Sequence, residues 1–172
     1  MPRTMLTDQH WLKLKSIVHN FGIYLKHNLR NFIEAILYRI RTGCPWRDLP
    51  EVFGKPNSIF KKFTRWCKDS KLLKIFKLLS SRADLEWVFI DASHVRAHQH
   101  ATGIKDQAIS KSVGGNSSKI HLAVDANGNP IEFIIGDGTT HDVKVAPDLI
   151  DCLDFKETEI LCADKGYDSE SL

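Results

Sequence analysis

The sequence predicts an α+β protein, in which a helical N-terminal domain precedes a mixed β-sheet. Up to about residue 80, apolar residues recur at spacings of three and four, whereas short apolar runs separated by turn residues follow from residue 87. The charge changes at the same place. Residues 1–86 carry seventeen Lys and Arg against seven Asp and Glu, whereas residues 87–172 carry seven against fourteen. We therefore expect two domains, 1–84 and 85–172.

The N-terminal domain is predicted to contain four helices. The first is capped by Thr7-Asp8 and reaches about Val18, and the second covers 29–42 and stops at Gly43. Residues 44–50, with a proline near each end, form a rigid connector. A third helix follows Pro56-Asn57-Ser58, and a fourth covers about 71–80. A helix, a Pro-containing turn and a basic helix are typical of a helix-turn-helix DNA reader.

The third helix is predicted to be amphipathic. Its apolar side chains are expected to face inward, and the aromatic ones are expected to be core rather than stacking platforms for bases: Ile59, Phe60, Phe63 and Trp66. Its basic side chains fall largely on the other side: Lys61, Lys62, Arg65 and Lys68. Such residues often only decorate a solvated helix face. Next to an acidic domain, however, the basic pattern favours contact with phosphates or base edges.

In the second domain the predicted order is strand, strand, strand, helix, strand. A first apolar run, 87–91, ends at Asp91. Two alternating runs, 119–125 and 131–135, flank an Asn-Gly-Asn-Pro turn and predict a hairpin. A helix is expected over 142–153, and a last strand, 159–164, ends at Asp164. The handedness of the crossover predicts that the last strand lies beside the first.

That topology brings Asp91 and Asp164 together on neighbouring strands. An Asp after an apolar run is more often a turn former or a helix cap, so either residue alone indicates little. Two carboxylates a few Å apart repel each other and favour a hard divalent cation between them. Mg²⁺ or Mn²⁺ at such a pair serves phosphodiester chemistry, which predicts a nuclease-type metal site.

Four blocks in this order resemble the DDE transposases of the IS5 group, in the IS4/IS5 superfamily of bacterial insertion sequences. The blocks are Thr42-Gly-Cys-Pro-Trp-Arg-Asp-Leu-Pro50 with 60–66 after it, Ile90-Asp-Ala-Ser-His-Val-Arg-Ala-His-Gln-His-Ala101, Gly114-Gly-Asn-Ser-Ser-Lys-Ile-His-Leu-Ala-Val-Asp125 and Ala163-Asp-Lys-Gly-Tyr-Asp-Ser169. The resemblance implies an RNase H-like fold with Asp91 and Asp164 as catalytic, metal-binding acids. It also implies Mg²⁺ or Mn²⁺ as cofactor, and double-stranded DNA, both terminal inverted repeats and target, as partner.

The third acid of the family, a Glu on a later helix, has no counterpart in the sequence. We read Glu157, Glu159, Asp168 and Glu170 as surface or turn residues. The resemblance therefore implies the N-terminal part of a transposase, inactive alone, with the metal expected only in a complete site. A downstream-frame polypeptide joined by frameshifting is a candidate partner, and a homo-oligomer is expected for the complete enzyme. The alternative is a DNA-binding regulator that represses transposition without catalysis.

The histidines near Asp91 raise a third possibility. His94, His98 and His100 follow Asp91 closely; His94 and His98 have the i, i+4 spacing of helical zinc ligands, with His121 or His141 and Asp91 as added ligands. A zinc site would indicate a hydrolase of small molecules, but no Glu lies between the pair. The resemblance instead assigns 92–100 to a loop beside the catalytic strand, where Arg96 contacts DNA. Residues 102–118 are expected to form a mobile loop, which either brings Lys105, Lys111 and the following Lys119 to DNA or has no function.

The remaining features exclude several classes. No apolar run is long enough to span a membrane and no signal peptide is present, so we expect a cytoplasmic protein without membrane contact. The four cysteines lack paired metal spacing, and we expect Cys67 and Cys162 to be small core residues.

Overall fold

A computed structural model describes residues 4–20, 28–81, 83–97, 108–112 and 114–168. The chain forms two compact units, Met1–Leu78 and Leu79–Leu172. Helices dominate the first unit and a mixed β-sheet the second, so the α+β prediction is confirmed. No helix in these segments is long and apolar enough to cross a membrane.

The N-terminal half has four helices among its described residues: α1 (Asp8–Asn20), α2 (Leu29–Thr42), α3 (Pro56–Lys68) and α4 (Lys71–Ser80). Thr7 Oγ1 accepts a hydrogen bond from the His10 N–H at 3.2 Å, as the cap predicted. Gly43 ends α2 with φ of 68°, a left-handed conformation that glycine adopts without a steric penalty. The segment between α2 and α3 contains two short 3₁₀ turns, Trp46–Asp48 within the predicted connector and Glu51–Phe53 after it.

The core of the first unit contains one face of α3. Ile59 and Trp66 are buried seven residues apart, and Trp66 meets Phe32 edge to face with ring centroids 5.0 Å apart. Phe60 and Cys67 each lie one residue further along, rotated by about 100° away from that face. Phe60 is 43% exposed and Cys67 is exposed, so the prediction that both are core residues was wrong.

The second unit has a five-stranded sheet among its described residues, made of β1 (Trp87–Arg96), β2 (Ser110–Ser112), β3 (Gly115–Asp125), β4 (Pro130–Asp137) and β5 (Ile160–Ala163). β1 pairs antiparallel with β3 and parallel with β5. β2 and β4 both pair antiparallel with β3. Helix α5 (Asp142–Asp151) connects β4 to β5. Because β5 pairs with β1, the prediction that the last strand lies beside the first is confirmed.

Two segments predicted as loops are strands. β1 continues past Asp91 to Arg96, because residues 92–96 pair with 117–121 of β3. The supposed loop 102–118 contains β2 and the start of β3, although Lys105 lies outside the described residues. Both segments are polar and lack the apolar alternation by which strands are recognised. Backbone pairing to β3 forms them, and pairing leaves no local signal in the sequence.

One face of the sheet packs on α5. Val88 and Ile90 of β1 and Ala123 of β3 are buried there with Ala146 and Leu149 of α5. Side chains alternate along a strand, so Trp87 and Phe89 point to the opposite face, where they are 40% and 37% exposed. The same alternation carries Asp91 to that less covered face.

Candidate metal centre and nucleic-acid interface

Asp91 and Asp164 directly follow the last paired residues of two parallel segments. Ile90 of β1 pairs with Ala163 of β5, on strands about 4.8 Å apart, and Asp91 and Asp164 are the next residue on each side. Both side chains are exposed. Asp91 was predicted to end its strand, but it lies inside β1. Asp164 directly follows β5.

Short local hydrogen bonds orient both carboxylates. Asp91 Oδ1 accepts from the Ala92 N–H at 2.7 Å. Asp164 Oδ1 accepts from the Lys165 N–H at 2.6 Å and so caps a 3₁₀ turn, Lys165–Tyr167. The remaining carboxylate oxygens are the hard donors that Mg²⁺ and Mn²⁺ prefer. Two carboxylates fill only part of an octahedral shell, and no group of three or more His, Cys, Asp or Glu side chains in the described segments could hold a metal ion.

The predicted zinc alternative meets a different geometry. His94 lies on a β-strand, so the helical i, i+4 relation to His98 does not apply. Because His94 is three residues after Asp91, the side chains of His94 and Asp91 point to opposite faces of the sheet. His98 and His100 lie outside the described residues. His121 is fully buried, and exposed His141 precedes α5.

A buried polar cluster lies behind the carboxylate pair. A hydrogen bond of 3.0 Å joins Tyr167 Oη to His121 Nδ1, and His121 Nδ1 is 3.6 Å from Asp142 Oδ1. The same Asp142 oxygen is 2.6 Å from Lys119 Nζ. From the sequence, His121 was predicted only as a possible zinc ligand, and Tyr167 and Asp142 were given no role. An inward-facing His in an alternating strand and a Tyr inside a turn are the two sequence features that could have indicated this cluster.

The titration behaviour of this cluster follows from its burial. Burial lowers the pKa of His121; Lys119 and His94 lower it further, and Asp142 opposes them. Burial likewise raises the pKa of Tyr167, and the negative charges of Asp142, Asp91 and Asp164 raise it further. Near neutral pH the imidazole is therefore neutral and the phenol is protonated. One of these two groups can then donate the hydrogen bond and the other can accept it.

The basic residues predicted to contact DNA differ in their surroundings. Lys61, Arg65 and Lys68 are exposed on α3, where spacings of four and three give one stripe. Lys62 instead lies over the Phe32 ring, with Nζ 4.2 Å from the centroid. That stacking explains why a lysine is half-buried beside the core.

Three of the predicted contacts lie among the described residues of the second unit, Arg96, Lys111 and Lys119, and Lys111 is exposed on β2. Arg96 is exposed at the end of β1. The Lys119 side chain is 11% exposed and its ammonium group is paired with Asp142. Its charge is therefore engaged within the fold.

Comparisons with known proteins cover nearly the whole chain. Residues 6–76 match the family described as "Putative transposase of IS4/5 family", and residues 82–172 match the family described as "Transposase DDE domain". The "Uncharacterized protein y4sN" of Sinorhizobium fredii (strain NBRC 101917 / NGR234) is 34% identical over 125 residues, which are 70% of this chain and 95% of the relative. No solved structure gives a significant match.

Proposed function

The chain belongs to the IS4/5 family of DDE transposases, and on that premise we propose that it binds the ends of its element and supplies two metal-binding carboxylates for strand cleavage and transfer. The observation that carries this proposal is the parallel pairing of Ile90 with Ala163, the residues directly before Asp91 and Asp164. In a family whose chemistry is phosphodiester cleavage and joining, two exposed acids at that position have a direct use.

The donor set fits a hard divalent cation. Asp91 and Asp164 would hold Mg²⁺ or Mn²⁺, since both offer oxygen ligands on a surface that a DNA strand can reach. When bound, such an ion stabilises the negative charge that develops on phosphate oxygens. Contrary to the expectation of a metal only in a complete site, two carboxylates can hold the ion while water fills the other positions. We propose that the pair binds the ion in this chain and that cleavage needs a further carboxylate, supplied by a downstream-frame polypeptide. The two acids of this chain alone are expected to give no DNA cleavage.

A Mn²⁺ titration followed by electron paramagnetic resonance tests the metal site. Asp91→Asn and Asp164→Asn should each weaken Mn²⁺ binding at least about tenfold, because each removes one of two charged ligands. Asp151→Asn, a change at an exposed acid of α5, is the matched control and should leave binding unchanged. Equal Mn²⁺ affinity in all four proteins would show that the pair is not a metal site.

The N-terminal unit is proposed to bind DNA in the manner of a helix-turn-helix protein. The exposed stripe of Lys61, Arg65 and Lys68 on α3 supports this, because three cations on one helix face match the phosphates along a groove. Lys62 is proposed to act mainly by packing on Phe32, and Arg96 to contact the DNA backbone near the acids.

DNA binding is tested by fluorescence anisotropy on the element's terminal repeats over a range of salt concentrations. Each phosphate contact contributes about 0.9 to the slope of log K against log salt. Replacing Lys61, Arg65 and Lys68 by Ala should lower the slope by about 2.7, whereas Lys156→Ala, at an exposed lysine of the second unit, should not change it. An unchanged slope in the triple variant would remove α3 from the interface. Binding without nicking, even when a complete catalytic partner is present, would favour the regulator.

A further inference from the structure

The position of Asp164 depends on the turn that follows it. Its carbonyl oxygen accepts a hydrogen bond from the Tyr167 N–H at 2.9 Å, and its Oδ1 accepts from the Lys165 N–H at 2.6 Å. Backbone and carboxylate are thus both fixed by the 3₁₀ turn Lys165–Tyr167. Any contact that holds this turn also sets where the carboxylate of Asp164 lies.

Tyr167 holds the turn against the core of the second unit. Its side chain is buried in one cluster with Ala146 and Leu149 of α5 and Val88 and Ile90 of β1. Ring packing alone would leave a buried hydroxyl without a partner, which is costly. His121 Nδ1 provides that partner at 3.0 Å.

His121 connects this contact to the other acid. It lies on β3 directly opposite Ala92 of β1, the residue after Asp91. The hydrogen bond between Tyr167 and His121 therefore links the turn behind Asp164 to the strand pair that carries Asp91. A hydrogen bond of 2.7 Å from the Ala92 N–H to Asp91 Oδ1 completes the path.

The start of α5 fixes the other side of the turn. A Cβ added to Gly166 would lie 3.0 Å from Asp142 Oδ2, so the turn passes too close to Asp142 for a larger residue without adjustment. Asp142 is in turn held by Lys119 Nζ at 2.6 Å. The turn is thereby held between β3 and the first residue of α5.

Resting on the metal role proposed above for Asp91 and Asp164, we propose that Tyr167 and His121 are positioning residues that hold the Asp164 carboxylate beside Asp91 and so set the pair's affinity for a divalent cation. Neither side chain is a metal ligand in this proposal. Groups that orient metal ligands typically change metal affinity about 10- to 100-fold when removed. A purely structural hydrogen bond would change the stability of the fold but not the metal affinity of the folded protein.

Tyr167→Phe removes one hydroxyl and keeps the ring. In a Mn²⁺ titration of the full 172-residue chain followed by electron paramagnetic resonance, it should bind about tenfold more weakly than the wild type. Tyr38→Phe is the matched control, a half-buried tyrosine that packs on Phe53 in the first unit, and it should bind Mn²⁺ like the wild type. Near-UV circular dichroism of each protein at the titration temperature checks that it is folded.

Two substitutions of His121 give an independent test. His121→Asn retains a polar atom close to the position of Nδ1 and should keep most of the Mn²⁺ affinity, whereas His121→Leu should lose as much as Tyr167→Phe. Wild-type affinity in folded Tyr167→Phe or in folded His121→Leu would overturn the positioning role. Asp164→Asn separates the two proposals: if it weakens Mn²⁺ binding and Tyr167→Phe does not, only the positioning role fails. If Asp164→Asn binds Mn²⁺ like the wild type, the metal role fails and the positioning role fails with it.

Discussion

Removing the Asp125 carboxylate should destabilise the second unit, because this side chain organises the turn between β3 and β4. Asp125 is 1% exposed and lies opposite Val88 of β1. Its Oδ1 accepts from the N–H groups of Asn127 and Asn129 at 2.9 and 2.7 Å, and its Oδ2 accepts from Asn129 Nδ2 at 2.9 Å and the Asp84 N–H at 3.3 Å. Asp125→Ala deprives all four donors of their acceptor.

The size of the effect follows from these four bonds. A hydrogen bond to a charged acceptor contributes about 1.5–3 kcal/mol to stability. Asn127 and Asn129 are exposed, so water replaces part of what their amides lose, and the 3.3 Å bond from Asp84 is the weakest. We expect Asp125→Ala to lower the free energy of unfolding by about 3–5 kcal/mol. Asp125→Asn keeps one acceptor oxygen and should cost about half as much.

The pH dependence of this contribution has a definite sign. Burial alone would raise the pKa of Asp125, but hydrogen bonds from Asn129, Asp84 and Asn127 outweigh it and hold the pKa below its ordinary value. The stabilisation is therefore present above the unfolded-state pKa of about 3.9 and is lost as the pH falls below it. The difference between wild type and Asp125→Ala should shrink in the same range.

Urea unfolding monitored by the fluorescence of Trp87, with the other three tryptophans replaced by Phe, reports on this unit. Asp154→Asn is the control, since that exposed carboxylate bonds only Lys156 two residues away among its described partners, and little change is expected. An Asp125→Ala protein within about 0.5 kcal/mol of the wild type would refute the reasoning. Such a result would mean that water satisfies the turn amides as well as the carboxylate does.

Three further changes test other parts of the molecule. Glu34 is buried and accepts from the N–H groups of residues 5 and 6, so Glu34→Ala should speed hydrogen exchange at those two amides; unchanged protection would contradict this. Asp142→Asn leaves the largely buried Lys119 ammonium group without its ion pair and should destabilise the second unit by about 2–4 kcal/mol in urea unfolding. An unchanged free energy of unfolding would mean that water solvates the Lys119 ammonium group in the variant. Because burial lowers the pKa of His121, the free energy of unfolding of the second unit should fall as the pH falls below about 6.5. If this pH dependence persists in His121→Asn, it comes from another group.

Local chemistry made much of the fold predictable. Gly43 marks the end of α2 because a left-handed residue is needed there, and the hairpin between β3 and β4 follows from its turn residues. The pairing of β5 with β1 followed from the handedness of crossovers and required no long-range information. That pairing also places Asp91 and Asp164 directly after a pair of opposed residues, Ile90 and Ala163.

What the sequence did not reveal depends on contacts between distant residues. The polar end of β1 is a strand because β3 pairs with it, and Lys119 is engaged because Asp142 lies across from it. Tyr167 and His121 are 46 residues apart, and neither belongs to a local pattern that predicts their hydrogen bond. Periodicity identifies the buried face of a helix, but not which single residue, such as Phe60, lies at its edge.

Anomalous diffraction from crystals of the chain grown with Mn²⁺ would show whether Asp91 and Asp164 together hold a divalent cation. One anomalous peak is expected at about 2.1 Å from a carboxylate oxygen of each residue. A peak bound to only one of them, or bound elsewhere with this pair empty, would contradict this expectation.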